Sequence, residues 1–137
     1  CISYLTIEHD GPIPVELRAA MGNRIYGCDD CQLACPWNKY ARISTLADFE
    51  LRPGMSGATL LQLWAWDEAS FLRRTEGSPI RRIGHARWLR NVAVALGNAW
   101  RETGQPELKA ALQSTAFFLV CIKLLAALGG PCPARPG

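Results

Sequence analysis

The sequence predicts an α+β chain in two parts: an extended segment and cysteine-bearing loop within residues 1–57, then an all-α region over residues 58–113, with an apolar and proline-rich tail at 114–137. Three observations carry this division. Residues 1–8 alternate β-prone side chains, including Ile2, Tyr4 and Ile7, with polar ones. Residues 27–37 set Cys28, Cys31 and Cys35 at Cys-x2-Cys-x3-Cys, followed directly by Pro36. From residue 58 onward, apolar residues recur at helical spacing behind residues suited to cap helices. With 49% hydrophobic and 20% charged residues in 137, the chain has the apolar mass for a core and is neither disordered nor fibrous.

In order, residues 1–8 read as a strand or extended segment. Residues 13–21 read as a short helix with Pro14 in its first turn and Gly22-Asn23 as a left-handed stop, which returns the chain so that Cys28 can meet Cys1. The cysteine stretch reads as a tight loop that turns at residues 36–38. Residues 40–57 are irregular, with Pro53-Gly54 and Ser56-Gly57 as breakers, and mark a module boundary. Beyond it, Leu60, Leu61, Leu63 and Trp64 are set for burial, and Asp67 caps a helix running to about Arg74. Ser78-Pro79 starts a longer helix to about Ala99, with Ile80, Ile83, Trp88, Val92, Ala95 and Leu96 facing the core and Arg81, Arg82 and Arg90 projecting elsewhere. Gln105-Pro106-Glu107 opens a last short helix ending near residue 113. Short helices and tight turns of this kind imply a small HEAT-like solenoid or helical bundle.

The bacterial ferredoxin run is Cys-x2-Cys-x2-Cys-x3-Cys-Pro, in which three thiolates hold one cubane cluster and the fourth reaches a second. Cys28, Cys31 and Cys35-Pro36 match its last three members, while Ile25 stands where the first cysteine belongs. Cys1 is the candidate remote replacement. On this reading Cys1, Cys28 and Cys31 serve one 4Fe-4S cluster and Cys35 another, so at least four further thiolates come from elsewhere. A Cys3His zinc site using His9 is the alternative, since Cys-x2-Cys also occurs in zinc ribbons; a disulfide framework is a weaker one. Asp29 and Asp30 lie against an anionic cluster at an electrostatic cost unless a cofactor, a substrate hydroxyl or a local turn uses them.

Net charge is +3, but residues 73–101 hold seven arginines (Arg73, Arg74, Arg81, Arg82, Arg87, Arg90, Arg101) against Glu76 alone. Localised arginine without lysine suits bidentate phosphate contact; a solvated helix face is the plainer reading. Trp64, Trp66, Trp88 and Trp100 could stack on bases, yet beside leucines at helical spacing they read as core. His85 reads as a surface or interface histidine without metal-spaced partners. The longest apolar run, about 14 residues at 115–128, is short of the roughly 20 needed to span a bilayer, and it carries Lys123. Cys121 within it reads as a small buried hydrophobe, and Cys132 receives no role. Unpaired metal thiols point to a reducing, cytoplasmic setting.

Residues 1–8 (Cys-Ile-Ser-Tyr-Leu-Thr-Ile-Glu), the run from Gly22 through Cys28, Cys31 and Cys35 to Asn38, Leu63-Trp64-Ala65-Trp66, and the run from Phe71 to Gly84 together resemble the epoxyqueuosine reductase family, in order and over about residues 1–100. The resemblance implies a cobalamin-dependent oxidoreductase with two 4Fe-4S clusters that removes the epoxide oxygen from epoxyqueuosine at the wobble position of tRNA, the last step of queuosine biosynthesis. Electrons would come from a donor protein through the clusters. By position, Cys1, Cys28 and Cys31 would hold the second cluster and Cys35 would complete the first. Ser3 and Asp29 would contact cobalamin, and Arg73, Arg74, Arg81 and Arg82 would grip tRNA phosphates. The family's acid lies in an N-terminal catalytic domain, so no catalytic residue is assigned here. The chain is expected to be a C-terminal fragment of a monomeric enzyme, inactive alone. Residues 115–137 depart from the family's charged helical repeats. A reductive dehalogenase also pairs cobalamin with two clusters, but the arginine-rich region serves no small organohalide; a zinc-containing RNA-binding module is the other rival, and a plain ferredoxin would lack the basic extension.

Overall fold

The structure, a computed structural model, describes residues 1–46, 55 and 57–113. The expected breakers Pro53-Gly54 and Ser56, and the tail with Cys121, Lys123 and Cys132, lie outside the described residues. In chain order the elements are α1 (Ile2–Ile7), α2 (Val15–Met21), α3 (Asp30–Leu33), a 3-10 turn (Pro36–Tyr40), α4 (Leu60–Trp64), α5 (Glu68–Arg74), a second 3-10 turn (Pro79–Ile83), α6 (Gly84–Thr103) and α7 (Pro106–Gln113).

The strand expected at residues 1–8 is instead helix α1, and among the described residues there is no strand, so the β part of the α+β expectation is not met. Tertiary packing overrides the local β preference. Ile2, Leu5 and Thr6 fall at i, i+3 and i+4, which puts them on one helical face; Leu5 packs with Ile13 and Met21, and Ile2 lies against that cluster. Thr6 tolerates full burial because its hydroxyl donates to the Ile2 carbonyl at 2.9 Å.

The start and stop residues act much as expected. Pro14 precedes α2 as its N-cap rather than sitting in the first turn, and Gly22, at φ 60°, ends it. Thr59 opens α4 with a reciprocal capping box to Gln62. Asp67 caps α5 by accepting from the Ser70 N–H at 2.8 Å. The helix expected from Ser78-Pro79 is broken in two: Ser78 caps a 3-10 turn, Gly84 at φ 73° ends it, and α6 then runs 20 residues, about 30 Å. Gly104, left-handed at φ 68°, closes α6 and lets α7 fold back onto it.

Helix α6 is the element on which α1, α2, α4, α5, the second 3-10 turn and α7 all pack. Its buried stripe, Trp88, Leu89, Val92 and Leu96, joins Trp66, Phe71, Ile83 and Leu108 in the main core. The expectation that the tryptophans are core holds: Trp66 stacks on Trp88 at 5.2 Å and 7°, Phe71 tilts against Trp88 at 5.7 Å, and Trp64 and Trp100 pack on the same cluster. His85 is half-buried, with its Nε2 2.8 Å from the Trp66 carbonyl; since a carbonyl only accepts, that nitrogen is the N–H donor.

The Asp67 cap carries a pH dependence. Hydrogen bonds from the Ser70 side chain and then its backbone hold the Asp67 carboxyl below the ordinary carboxylate range. A folded-state pKa below the unfolded one means that the cap's contribution is present above pH 3.8 and is lost as pH falls through the depressed value. Acid titration followed through the Ser70 and Phe71 amide resonances is expected to show α5 loosening in that window. Asp67→Asn, which keeps the acceptor without ionising, is expected to flatten the profile; an unchanged profile would refute the assignment.

Candidate metal centre and nucleic-acid interface

The four predicted thiols sit at element boundaries. Cys1 is the N-cap residue of α1, Cys31 lies inside α3, and Cys35 precedes the first 3-10 turn with Pro36 at its first position. Cys28 stands two residues before α3. All four are free thiols, Cys1 and Cys31 exposed and Cys28 and Cys35 half-buried, so the disulfide alternative is set aside. Among the described residues no three ligating side chains converge closely enough to hold a metal ion.

Backbone hydrogen bonds fold the motif tightly. The Leu33 and Ala34 N–H groups donate to the Asp29 and Asp30 carbonyls at 2.8 and 2.9 Å, and the Cys35 N–H to Gln32 at 3.1 Å. Asn38 donates from its side chain to the Gln32 carbonyl, and its N–H to the Cys35 carbonyl at 3.1 Å. Asp30 finds its user in Arg24, whose Nη2 reaches both carboxylate oxygens at 2.8 and 2.7 Å. That hydrogen bond, more than any other influence, lowers the Asp30 pKa and raises that of Arg24. Asp29 remains exposed, while Ser3 is half-buried and its carbonyl accepts from Thr6 Oγ1 at 3.2 Å. His9, the proposed zinc partner, places Nε2 3.2 Å from the Pro12 carbonyl.

The N-terminal segment and the cysteine loop are held to each other and to α6 by contacts that sequence reasoning did not anticipate. Gly27, at φ 73°, donates its N–H to Thr6 Oγ1 at 2.9 Å; only glycine adopts that backbone without strain. Asn91 on α6 donates to the Thr6 and Ile25 carbonyls, each at 2.8 Å. Asn98 does the same for Arg18 and Gly22 at 2.7 and 2.8 Å. Arg90, expected to project away from the core, is instead buried and donates to the carbonyls of Leu5, His9 and Gly11 at 2.7 to 2.8 Å. Arg87 donates to the Ile7 carbonyl at 2.9 Å and pairs with Asp10. The Tyr26 hydroxyl donates to the Pro79 carbonyl at 3.1 Å, linking the loop to the second 3-10 turn. One signal was available: Asn91 and Asn98 interrupt the apolar stripe of α6 seven residues apart, on its core side.

Of the arginine cluster, Arg73, Arg74, Arg81 and Arg82 are exposed, at the end of α5 and in the second 3-10 turn. Arg73 donates to Ser70 Oγ at 3.2 Å, Arg74 lies 5.1 Å from the Trp66 ring centroid, and Arg82 pairs with Glu8. Exposed, screened pairs of this kind contribute little stability, so these side chains can exchange partners. The basic window therefore divides into Arg87 and Arg90, tied to backbone carbonyls, and five arginines open to solvent, these four and Arg101.

A 4Fe-4S double cluster binding domain matches residues 1–38, the span that contains all four thiols. Soft thiolates in this spacing are the donor set such clusters take. Among curated relatives, an epoxyqueuosine reductase of Alicycliphilus denitrificans is 73% identical over 103 residues, covering 75% of this chain and 29% of that protein. The corresponding protein of Xanthomonas campestris is 64% identical over 114 residues (83% and 31%), and that of Escherichia coli 65% over 104 (75% and 27%). The chain thus spans about three-tenths of the curated relatives it matches. Among solved structures, a selenomethionine-labelled epoxyqueuosine reductase superposes with TM-score 0.71 at 29% identity, over 94% of this chain and 34% of that one. An epoxyqueuosine reductase with an epoxyqueuosine-modified tRNA-Tyr stem loop gives 0.65 at 27%, over 92% and 38%. Sequence and fold agree that this chain is related, over most of its length, to the epoxyqueuosine reductases.

Proposed function

We propose that this chain is the cluster-ligating and RNA-facing segment of a cytoplasmic, monomeric oxidoreductase that reduces epoxyqueuosine to queuosine at the wobble position of tRNA. The observation that carries the reading is the 73% identity over 103 residues to an epoxyqueuosine reductase. Cys1, Cys28 and Cys31 hold the second of two 4Fe-4S clusters, and Cys35 completes the first; the remaining thiolates come from other parts of the enzyme. Residues 1–57 are then the second half of a ferredoxin-like cluster module, and residues 58–113 a HEAT-like region that faces tRNA. The exposed Asp29 carboxylate and the Ser3 hydroxyl suit the amide groups of cobalamin. When bound, the clusters supply single electrons from a donor protein and cobalamin the reducing centre for the epoxide. No helix among the described residues is long and apolar enough to cross a membrane.

This chain's own residues orient and bind. Helix α6 holds the segments that precede the cluster loop through Arg90, Asn91 and Asn98, while Arg73, Arg74, Arg81 and Arg82 offer guanidinium forks to phosphates. The test is the anaerobically purified full-length protein, reduced and mixed with tRNA bearing epoxyqueuosine. Conversion to queuosine is expected, and zinc in place of iron, or no conversion, would overturn the reading. In the same protein, Arg81→Ala with Arg82→Ala is expected to weaken tRNA binding and to flatten its salt dependence by roughly 1 in log–log slope for each phosphate no longer neutralised. Unchanged affinity and slope would move the RNA face elsewhere.

A further inference from the structure

Thr6 and Asn91 are both fully buried, at 0% exposure, and together they join two segments that each carry thiols. Thr6 Oγ1 donates to the Ile2 carbonyl and accepts from the Gly27 N–H, both at 2.9 Å. Asn91 donates to the Thr6 and Ile25 carbonyls and accepts from Arg90 Nε at 3.0 Å. The carboxamide orientation follows from these partners: its NH2 faces two carbonyls, and its oxygen faces a guanidinium. Thr6 belongs to the helix whose N-cap is Cys1, and Gly27 immediately precedes Cys28. The join therefore fixes how far the Cys1 helix slides or rotates against the Cys28 loop.

A cluster whose thiolates come from separate segments depends on the rigidity of the join between them, because ligand geometry is set by the groups that hold the ligand backbones. Nothing else in α1 accepts a hydrogen bond from the cysteine loop among the described residues. We propose that Thr6 and Asn91 are positioning residues for the cluster held by Cys1, Cys28 and Cys31, setting the register of α1 against the Cys28 loop. This rests on the cluster assignment of the proposed function.

The test uses full-length, anaerobically reconstituted protein. Thr6→Val keeps the side-chain shape and removes the acceptor for Gly27; Thr6→Ala removes it without adding a methyl, in case valine crowds the site. Thr6→Ser keeps the hydroxyl. With either hydroxyl-free variant, the cluster assigned to Cys1, Cys28 and Cys31 is expected to be stripped by an iron chelator about fivefold faster, consistent with loss of one hydrogen bond, with a shifted reduction potential and an altered paramagnetic resonance spectrum. The Cys35 cluster should keep its signal, and Thr6→Ser should restore wild-type behaviour. Wild-type rates and spectra in both hydroxyl-free variants would overturn the positioning role alone. Equal loss of both clusters would overturn it as well, since that marks a general loss of structure. A wild-type protein that binds no iron would overturn the cluster assignment itself, and the positioning role with it.

Discussion

Replacing Cys31 by serine in the full-length protein is expected to remove about half of its iron and one of two paramagnetic signals, whereas Cys35→Ser should remove the other signal. The reason is the division of the motif. In a Cys-x2-Cys-x3-Cys-Pro run the first two thiols and the last serve different cubes, and Cys31 and Cys35 are separated by the single turn of α3, whose backbone bonds close between residues 29 and 35. A serine hydroxyl is a hard donor that iron–sulfur clusters hold poorly compared with thiolate, so each substitution should empty its site. Both thiols are free, and Cys31 is exposed, so neither change creates a cavity and the apoprotein's melting point should stay near wild type. Iron analysis with resonance spectra of each variant checks this. If both substitutions erase the same signal, the two thiols share one cluster and the assignment of Cys35 fails.

How far the sequence alone revealed this arrangement depends on the kind of signal. Features written in local chemistry were legible: Asp67, Ser78-Pro79 and Gly22 punctuate the helices where expected, and the tryptophans beside leucines are core. The cysteine spacing and its proline stand out because few other uses require them. The helix at residues 1–8 was not legible, because Ile, Tyr and Thr favour strands locally and only the distant partners Ile13 and Met21 select the helical face. Arg90 was misread for a related reason. A positional pattern treats arginine as a surface residue, but its place depends on carbonyls of residues 5, 9 and 11 some 80 positions away. Charge counting likewise merged arginines that hold the backbone with arginines that face solvent.

The largest loss of stability is expected from Arg90→Met, about 4 kcal/mol, the upper range for leaving several buried acceptors without donors. Only 6% of Arg90 is exposed. Its guanidinium meets no carboxylate directly; it is satisfied by the Leu5, His9 and Gly11 carbonyls and by Asn91 Oδ1. Leu5 and His9 lie at and beyond the end of α1, where helix carbonyls have no intrahelical partner and the dipole favours a cation. Burial, and then the neighbouring Arg87 charge, lower its pKa to about 10. The side chain therefore stays charged at neutral pH, and the folded state binds fewer protons than the unfolded one only above that value, so Arg90 adds no pH dependence to stability below it. Methionine fills a similar volume, which confines the loss to the hydrogen bonds. Arg90→Lys keeps the charge, but its single ammonium cannot reproduce the planar fork that reaches separated carbonyls, and roughly 2 kcal/mol of loss is expected. Denaturant unfolding of the full-length variants measures both. A lysine variant as stable as wild type would mean that charge, not directed donation, holds the end of α1 against α6.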